Sequence, residues 1–133
     1  PRVPLAPPVF LRVKIFPMKT YTGGCHCGKV RYEVEADFKD GMSCNCSYCG
    51  KMGWLLSFVP EKMFKLISGG DNQSEYRFNT KNIQHLFCKD CGVHCFGKGK
   101  GPDGAGTCAV NLRTIDNLDT ESLSVNKYDG SKV

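Results

Sequence analysis

The chain has 133 residues, about the size of one globular domain. Hydrophobic residues make up 41% and charged residues 23%, as in soluble globular proteins, and no apolar run approaches the roughly 18 residues of a transmembrane helix. These values exclude a membrane-spanning protein and predict no membrane partner. Nine cysteines are too many for ordinary core use, and their odd number argues against a fully paired secreted disulfide framework.

Residues 1–17 differ in composition from the rest of the chain. They hold five of the seven prolines and three basic residues but no acid. Prolines so spaced prevent a regular helix and a signal-peptide core, so we expect a disordered or cloning-derived extension, with 18–133 as the folded domain. A transit peptide is the rival interpretation, weakened by the absence of serine.

The rest of the chain is predicted to be all-β. Residues 29–35 alternate strictly between apolar and charged side chains, the pattern of a half-buried strand. Further short strands are predicted at 54–59, 63–67, 75–78, 83–87, 93–96, 107–112 and 123–128, separated by turn-forming stretches. A short helix is expected within 47–52. The glycine-rich segment 97–106 lacks the ending of a P-loop and is predicted to be a flexible surface loop that could border a substrate site.

Seven cysteines form three clusters with the spacing of metal ligands. The clusters are Cys25 and Cys27; Cys44, Cys46 and Cys49; and Cys88 and Cys91. In a C-x-C pair on extended backbone both side chains point to one face, and C-x-x-C followed by glycine forms a tight turn, so each pattern can bring two sulfurs to one ion. Seven thiols cannot all pair with one another, and C-x-C disulfides are strained, so zinc is favoured over disulfides. Iron–sulfur ligation is a weaker alternative, which a colourless preparation would exclude.

Seven sulfurs suggest a division into four and three. Four sulfurs close a structural zinc site, whereas three leave a coordination position for water or substrate. The simplest three-sulfur set is Cys44, Cys46 and Cys49, which leaves the other two pairs to form the four-sulfur set, although spacing does not prove this division. Of the other cysteines, Cys108 is predicted to lie in the core, and Cys95 also, with a redox or ligand role as the alternative.

Charge and the histidines add little to these predictions. The formal net charge is +5, and +2 without the three basic residues of 1–17; two zinc ions and seven thiolates would bring it to −1. Nucleic acid is therefore not an expected partner. His26 should point away from the metal of its neighbours, and His85 and His94 are interpreted as partly buried strand residues rather than hydrogen-bond partners of a metal ligand.

The motifs resemble those of the glutathione-dependent formaldehyde-activating enzyme family, also called the centromere protein V-like domain. The matching segments are 24–32, 44–49, 87–94, 110–113 and 128–130, so the resemblance covers essentially 19–130. It implies a mainly β, β-tent fold of two small antiparallel sheets organised around zinc. It also implies a carbon–sulfur lyase resembling S-(hydroxymethyl)glutathione synthase, which condenses a thiol such as glutathione with formaldehyde or a related aldehyde.

The resemblance also implies roles for the cysteines. A structural zinc ion would be bound by Cys25, Cys27, Cys88 and Cys91, and a catalytic zinc ion by Cys44, Cys46 and Cys49. Asn45 stands where the family often has histidine and Gly50 where it often has a basic residue, which leaves the substrate's identity in doubt. Cys95 stands where a larger apolar residue is usual.

Four residues that follow the proposed catalytic ligands are weaker candidates for substrate contacts: Ser47, Tyr48, Lys51 and Trp54. Packing is the favoured interpretation of Tyr48 and Trp54, and a solvated charge that of Lys51. Two other functions stay open, a non-catalytic zinc-stabilised protein-binding module and a redox sensor that releases metal on oxidation. Thiol-rich metal sites favour a reducing compartment, so a cytoplasmic location is expected; the oligomeric state is not predicted.

Overall fold

The computed structural model describes residues 18–78, 82–101 and 103–130. Two β-sheets organise this part of the chain. The first has three strands in the order β1 (Lys19–Gly24), β2 (Arg31–Ala36) and β5 (Phe64–Ser68), all antiparallel. The prediction of a mainly β protein with two sheets is therefore confirmed. The predicted extension, 1–17, lies outside the described residues.

The second sheet has seven strands, so it is larger than the small sheet that we expected. Its order is β10 (Ser124–Tyr128), β3 (Asp40–Cys44), β4 (Leu56–Pro60), β9 (Gly106–Asn111), β8 (Phe96–Lys100), β7 (Gln84–Cys88) and β6 (Gln73–Tyr76). Strand β10 pairs with β3 in parallel, so the expectation of two purely antiparallel sheets was wrong for this edge. Local sequence patterns do not encode which distant strand becomes a neighbour.

Helical structure is short. A single α-helical turn, α1 (Cys49–Met52), ends at Gly53, whose φ of 68° requires glycine or a strained residue. The 3-10 turns are Glu61–Met63, Gly70–Asn72, Leu112–Thr114 and Thr120–Ser122. The short helix expected within 47–52 is thus confirmed. In the described part of the chain, no helix has the length and hydrophobicity that crossing a membrane requires.

The main correction concerns the glycine-rich segment, because its first residues form strand β8 rather than a flexible loop. Gly97 pairs with Ala109 and Gly99 with Thr107 across the β8–β9 ladder, and β7 pairs with the other edge of β8. Two flanking strands supply hydrogen bonds that offset the low strand propensity of glycine. The strand predicted at 93–96 was also wrong except at its end, since β8 begins at Phe96. Strands β1 and β3 were not predicted.

The core lies between the two sheets. Val30, Tyr32 and Val34 are buried from the β2 side, as the alternation predicted, and Phe96 and Val110 are buried from the seven-stranded sheet. Cys95 and Cys108 are buried as well, which confirms their predicted core positions. Because the side chains of both sheets are in contact, the two sheets and the turns at their ends are held in a fixed relative position.

Candidate metal centres and the adjoining cavity

Four thiols meet where two turns approach each other. Cys25 and Cys27 lie in the turn between β1 and β2, and Cys88 and Cys91 lie at the end of β7 and in the turn that follows. All four Sγ atoms lie within 4.8 Å of one another, and Cys27 Sγ is 3.6 Å from both Cys25 Sγ and Cys88 Sγ. Sulfurs about 2.3 Å from a central zinc ion are about 3.8 Å apart in a tetrahedron, so the spacing fits zinc.

The turns around these thiols direct N–H groups towards sulfur. Val30 N–H donates to Cys25 Sγ at 3.3 Å, and the Asn72 side-chain amide donates to Cys88 Sγ at 3.4 Å. Gly92 adopts a φ of 79°, which lets its N–H donate to the Cys88 carbonyl at 2.9 Å and tightens the C-x-x-C turn. Donors to sulfur stabilise thiolates, the form that binds a metal.

Three more thiols form a second cluster, where β3 ends and the connection to β4 begins. Cys44 ends β3, Cys46 lies in the turn and Cys49 begins α1, and their Sγ atoms lie within 4.8 Å of one another. Cys46 N–H donates to Cys44 Sγ at 3.4 Å and Cys49 N–H to Cys46 Sγ at 3.3 Å. The structure thus brings the seven thiols together in the groups that spacing suggested, and none of the nine cysteines is in a disulfide.

The segment that follows β10 holds this second cluster in place. Asn45 N–H donates to the Tyr128 carbonyl at 3.2 Å, and Gly130 N–H donates to the Asn45 side-chain oxygen at 2.7 Å. A Cβ atom on Gly130 would lie 2.8 Å from Cys44 Sγ, so only glycine allows this close approach. Asn45 therefore has a structural role at this cluster.

The pKa values of the clustered thiols shift in opposite directions. Burial raises the pKa of Cys91, but N–H groups of Val93 and Cys27 and the neighbouring thiols outweigh it and lower the pKa to about 6. At the second cluster, burial raises the pKa of Cys49 to about 12, although the Trp54 side chain opposes the shift. Thiols this close cannot all ionise without a nearby cation, so both donor sets fit a divalent metal.

A cavity of about 280 Å³ adjoins the three-sulfur cluster. Its described lining consists of the three cysteines and a mostly apolar wall from several strands: Met42, Trp54, Leu56, Phe58, Phe78, Ile83, His85, Gly97, Ala109, Tyr128 and Gly130. The four-sulfur cluster is absent from this lining. The two clusters therefore differ in surroundings as well as in sulfur number.

The four weaker candidates lie in different places. Trp54 is buried and lines the cavity, whereas Tyr48 and Lys51 line a separate shallow groove together with His94, and Ser47 is exposed on the turn. The Tyr48 hydroxyl lies 3.3 Å from each His94 ring nitrogen. A substrate contact by each of the four residues stays a prediction.

Both histidines near the third cysteine cluster pack in an aromatic group. His85 is buried on β7, as predicted, with its ring centroid 4.4 Å from that of Tyr48 and 5.2 Å from that of Phe78. His94 is half-buried but lies outside a strand. Desolvation lowers the pKa of both imidazoles and so favours their neutral form.

The sequence interpretation missed most of the cavity wall. Met42, Leu56, Phe58 and Ile83 come from three separate segments and carry no motif. The only local signal was the alternation of side chains along each strand, which places Leu56 and Phe58 on one face but does not say that this face borders the cysteines.

Comparisons with known proteins agree with these features. A family model described as "Glutathione-dependent formaldehyde-activating enzyme" matches residues 20–128. A protein of Penicillium rubens is 37% identical over 87 residues, covering 59% of this chain and 46% of its own length, and one of Emericella nidulans is 35% identical over 79 residues, covering 56% and 40%. Both carry the name "Putative glutathione-dependent formaldehyde-activating enzyme", and the chain matches less than half the length of each.

A solved structure shares the fold. The crystal structure of a Rhodobacter sphaeroides protein superposes with a TM-score of 0.69 at 25% sequence identity, covering 79% of this chain and 99% of that one. The family match spans most of the chain, including all seven clustered cysteines and most of the cavity wall. The chain belongs to the glutathione-dependent formaldehyde-activating enzyme family.

Proposed function

We propose that this protein is a zinc-dependent carbon–sulfur lyase that condenses a thiol, such as glutathione, with formaldehyde or a related aldehyde. The supporting observation is that a three-sulfur cluster borders a cavity while a four-sulfur cluster does not. Three thiolates leave a zinc coordination position for another ligand, and four close it. Family membership and the names of the relatives support the same reaction.

The reaction is an addition to a carbonyl group. The substrate sulfur forms a bond to the aldehyde carbon, the π electrons of the carbonyl move to its oxygen, and the proton that leaves the thiol ends on that oxygen. The reverse reaction breaks the same carbon–sulfur bond. When bound, a zinc ion held by Cys44, Cys46 and Cys49 would supply electrostatic stabilisation of a substrate thiolate at its open position.

The protein's own residues contribute position and a low-polarity environment. The hydrogen bonds of Asn45 with Tyr128 and Gly130 fix the cysteine turn against the end of β10. The buried Trp54 and Leu56 limit water next to the sulfurs, which strengthens electrostatic interactions there. Because thiol addition to formaldehyde is already easy, positioning of the two reactants is the main contribution that we expect.

We assign the four-sulfur cluster a structural zinc ion. Cys25 and Cys27 belong to the three-stranded sheet's turn, and Cys88 and Cys91 to the seven-stranded sheet, so one ion would link the two sheets. The protein would then bind two zinc ions, one structural and one catalytic. Nine free thiols are consistent with a reducing compartment such as the cytoplasm.

Zinc analysis of the wild type beside Cys46→Ser tests the proposal. We expect two zinc ions per wild-type chain, one per variant chain, an unchanged fold, and loss of thiol binding and of catalysed condensation in the variant. Cys108→Ala is the matched control, because Cys108 is buried away from both clusters and its loss should leave zinc content and catalysis intact. A fully zinc-loaded wild type that accelerates no thiol–aldehyde condensation would refute the proposal.

Cobalt substitution separates the enzyme from a non-catalytic zinc module. In the enzyme, the absorption of one cobalt ion should change when a thiol is added, because the thiol replaces an exogenous ligand at the three-sulfur site. Two spectra that do not respond to any thiol would favour the module. The cavity beside the three-sulfur cluster favours the enzyme.

A further inference from the structure

We propose that the cavity beside Cys44, Cys46 and Cys49 selects a thiol with a compact apolar or aromatic substituent in preference to glutathione. This inference rests on the proposed function, because it concerns the substrate of the same site. It names a substrate class that the family description does not.

The charge of the wall is the first argument. None of the described residues that line the cavity is Lys, Arg, Asp or Glu. Glutathione carries two carboxylates and one ammonium group, and burying a charge without a partner is strongly unfavourable. A thiol whose substituent is uncharged avoids this cost.

The shape of the wall is the second argument. On the face that borders the cavity, β8 and β9 contribute the small residues Gly97 and Ala109, and a Cβ atom on Gly97 would lie only 3.0 Å from the Gln84 carbonyl oxygen. The aromatic residues Trp54 and Phe78 line the same cavity. An apolar cavity of about 150 Å³ is enough to bind benzene. The cavity here measures about 280 Å³, which accommodates a benzylic thiol with its sulfur at the cysteines.

Cations line a groove next to the cavity. Lys98 and Lys100 line an adjoining groove that shares Phe58 and Ile83 with the cavity wall. Neither lysine lines the cavity itself, so each could meet a carboxylate only in the groove. The alternative to our proposal is therefore that glutathione extends through the cavity and places a carboxylate on Lys98.

Binding can be measured without turnover. Trp54 is the only tryptophan of the chain and lines the cavity, so its fluorescence reports occupancy. The full chain, loaded with zinc and kept reduced, is titrated with benzyl mercaptan and with glutathione. We expect half-saturation at a concentration at least tenfold lower for benzyl mercaptan. Equal or tighter binding of glutathione would overturn the proposal.

A cation placed in the wall tests the cause of the preference. Ile83 is 49% exposed, so Ile83→Lys adds a charge at the edge of the cavity without burying it. We expect it to reduce the preference for benzyl mercaptan at least fivefold. Ile67→Lys is the matched control, because Ile67 is also 49% exposed but lies on β5 in the other sheet. Indistinguishable effects of the two variants would contradict the proposal.

Two further results separate the possible failures. The alternative predicts that the wild type binds glutathione more tightly than benzyl mercaptan and that Lys98→Gln weakens the binding of glutathione. These two results together would refute our proposal. If benzyl mercaptan binds more tightly but no thiol condensation is accelerated, the preference stands and the proposed enzymatic function fails.

Discussion

Replacing one ligand of the four-sulfur cluster should destabilise the fold more than replacing one ligand of the three-sulfur cluster. Cys27 Sγ contacts Cys88 Sγ at 3.6 Å across 61 positions of the chain, so an ion bound there cross-links two distant segments. The ligands of the three-sulfur cluster all lie between Cys44 and Cys49. Cys27→Ser and Cys46→Ser therefore remove cross-links of very different loop length.

The difference can be estimated from chain entropy. Closing the long loop restricts the unfolded state by about 4 kcal/mol, and closing the short loop by about 2 kcal/mol, in the entropic treatment of cross-links. We expect Cys27→Ser to lower the free energy of unfolding by about 2 kcal/mol more than Cys46→Ser. With a urea m-value of about 2 kcal/mol/M, this is a difference of about 1 M in the unfolding midpoint.

Urea unfolding of the reduced, zinc-loaded proteins, followed by circular dichroism, measures the two midpoints. The same measurement after chelation is the control, because the wild type and both variants should then unfold at similar urea concentrations. Equal midpoints for the two zinc-loaded variants, or a difference that survives chelation, would refute the cross-link as the cause.

Three other outcomes follow from the structure. Gly130→Ala should lower the zinc content from two ions to one in metal analysis, because its Cβ would lie 2.8 Å from Cys44 Sγ. Gly50→Ala is the control. Its Cβ would meet nothing closer than 3.8 Å, so this variant should keep both ions. Arg31 donates a hydrogen bond that lowers the pKa of Asp116 in the folded protein. The pair therefore stabilises the fold at pH values above the pKa of Asp116 in the unfolded chain, about 4. This stabilisation is lost as the pH falls through the lower pKa of Asp116 in the folded protein. Asp116→Asn should therefore reduce stability at pH 7 by less than about 1 kcal/mol, since the pair is partly exposed, and the difference between variant and wild type should shrink towards pH 3 in urea titrations. Chelation of both metals should lower the thermal midpoint of the wild type in calorimetry, and an unchanged midpoint would argue against metal-linked folding.

Much of the fold was predictable where a pattern is local. The alternation in residues 29–35 identified β2 and its buried face, because a strand buries every second side chain. The cysteine spacing also identified which thiols could meet, since C-x-C and C-x-x-C pairs are close in almost any turn. Strand β8 was missed because glycine has a low strand propensity, which pairing on both sides overcomes.

By itself, the sequence determined the all-β class, the buried positions of Cys95 and Cys108, and the family to which the motifs belong. Only the tertiary structure decided what surrounds the three-sulfur cluster. The cavity wall combines Phe58, Ile83 and Tyr128 from separate segments of the chain, and the parallel pairing of β10 with β3 brings Gly130 against Cys44. These contacts depend on how distant strands pair and pack, and such long-range pairings leave no periodic signal in the residues that make them.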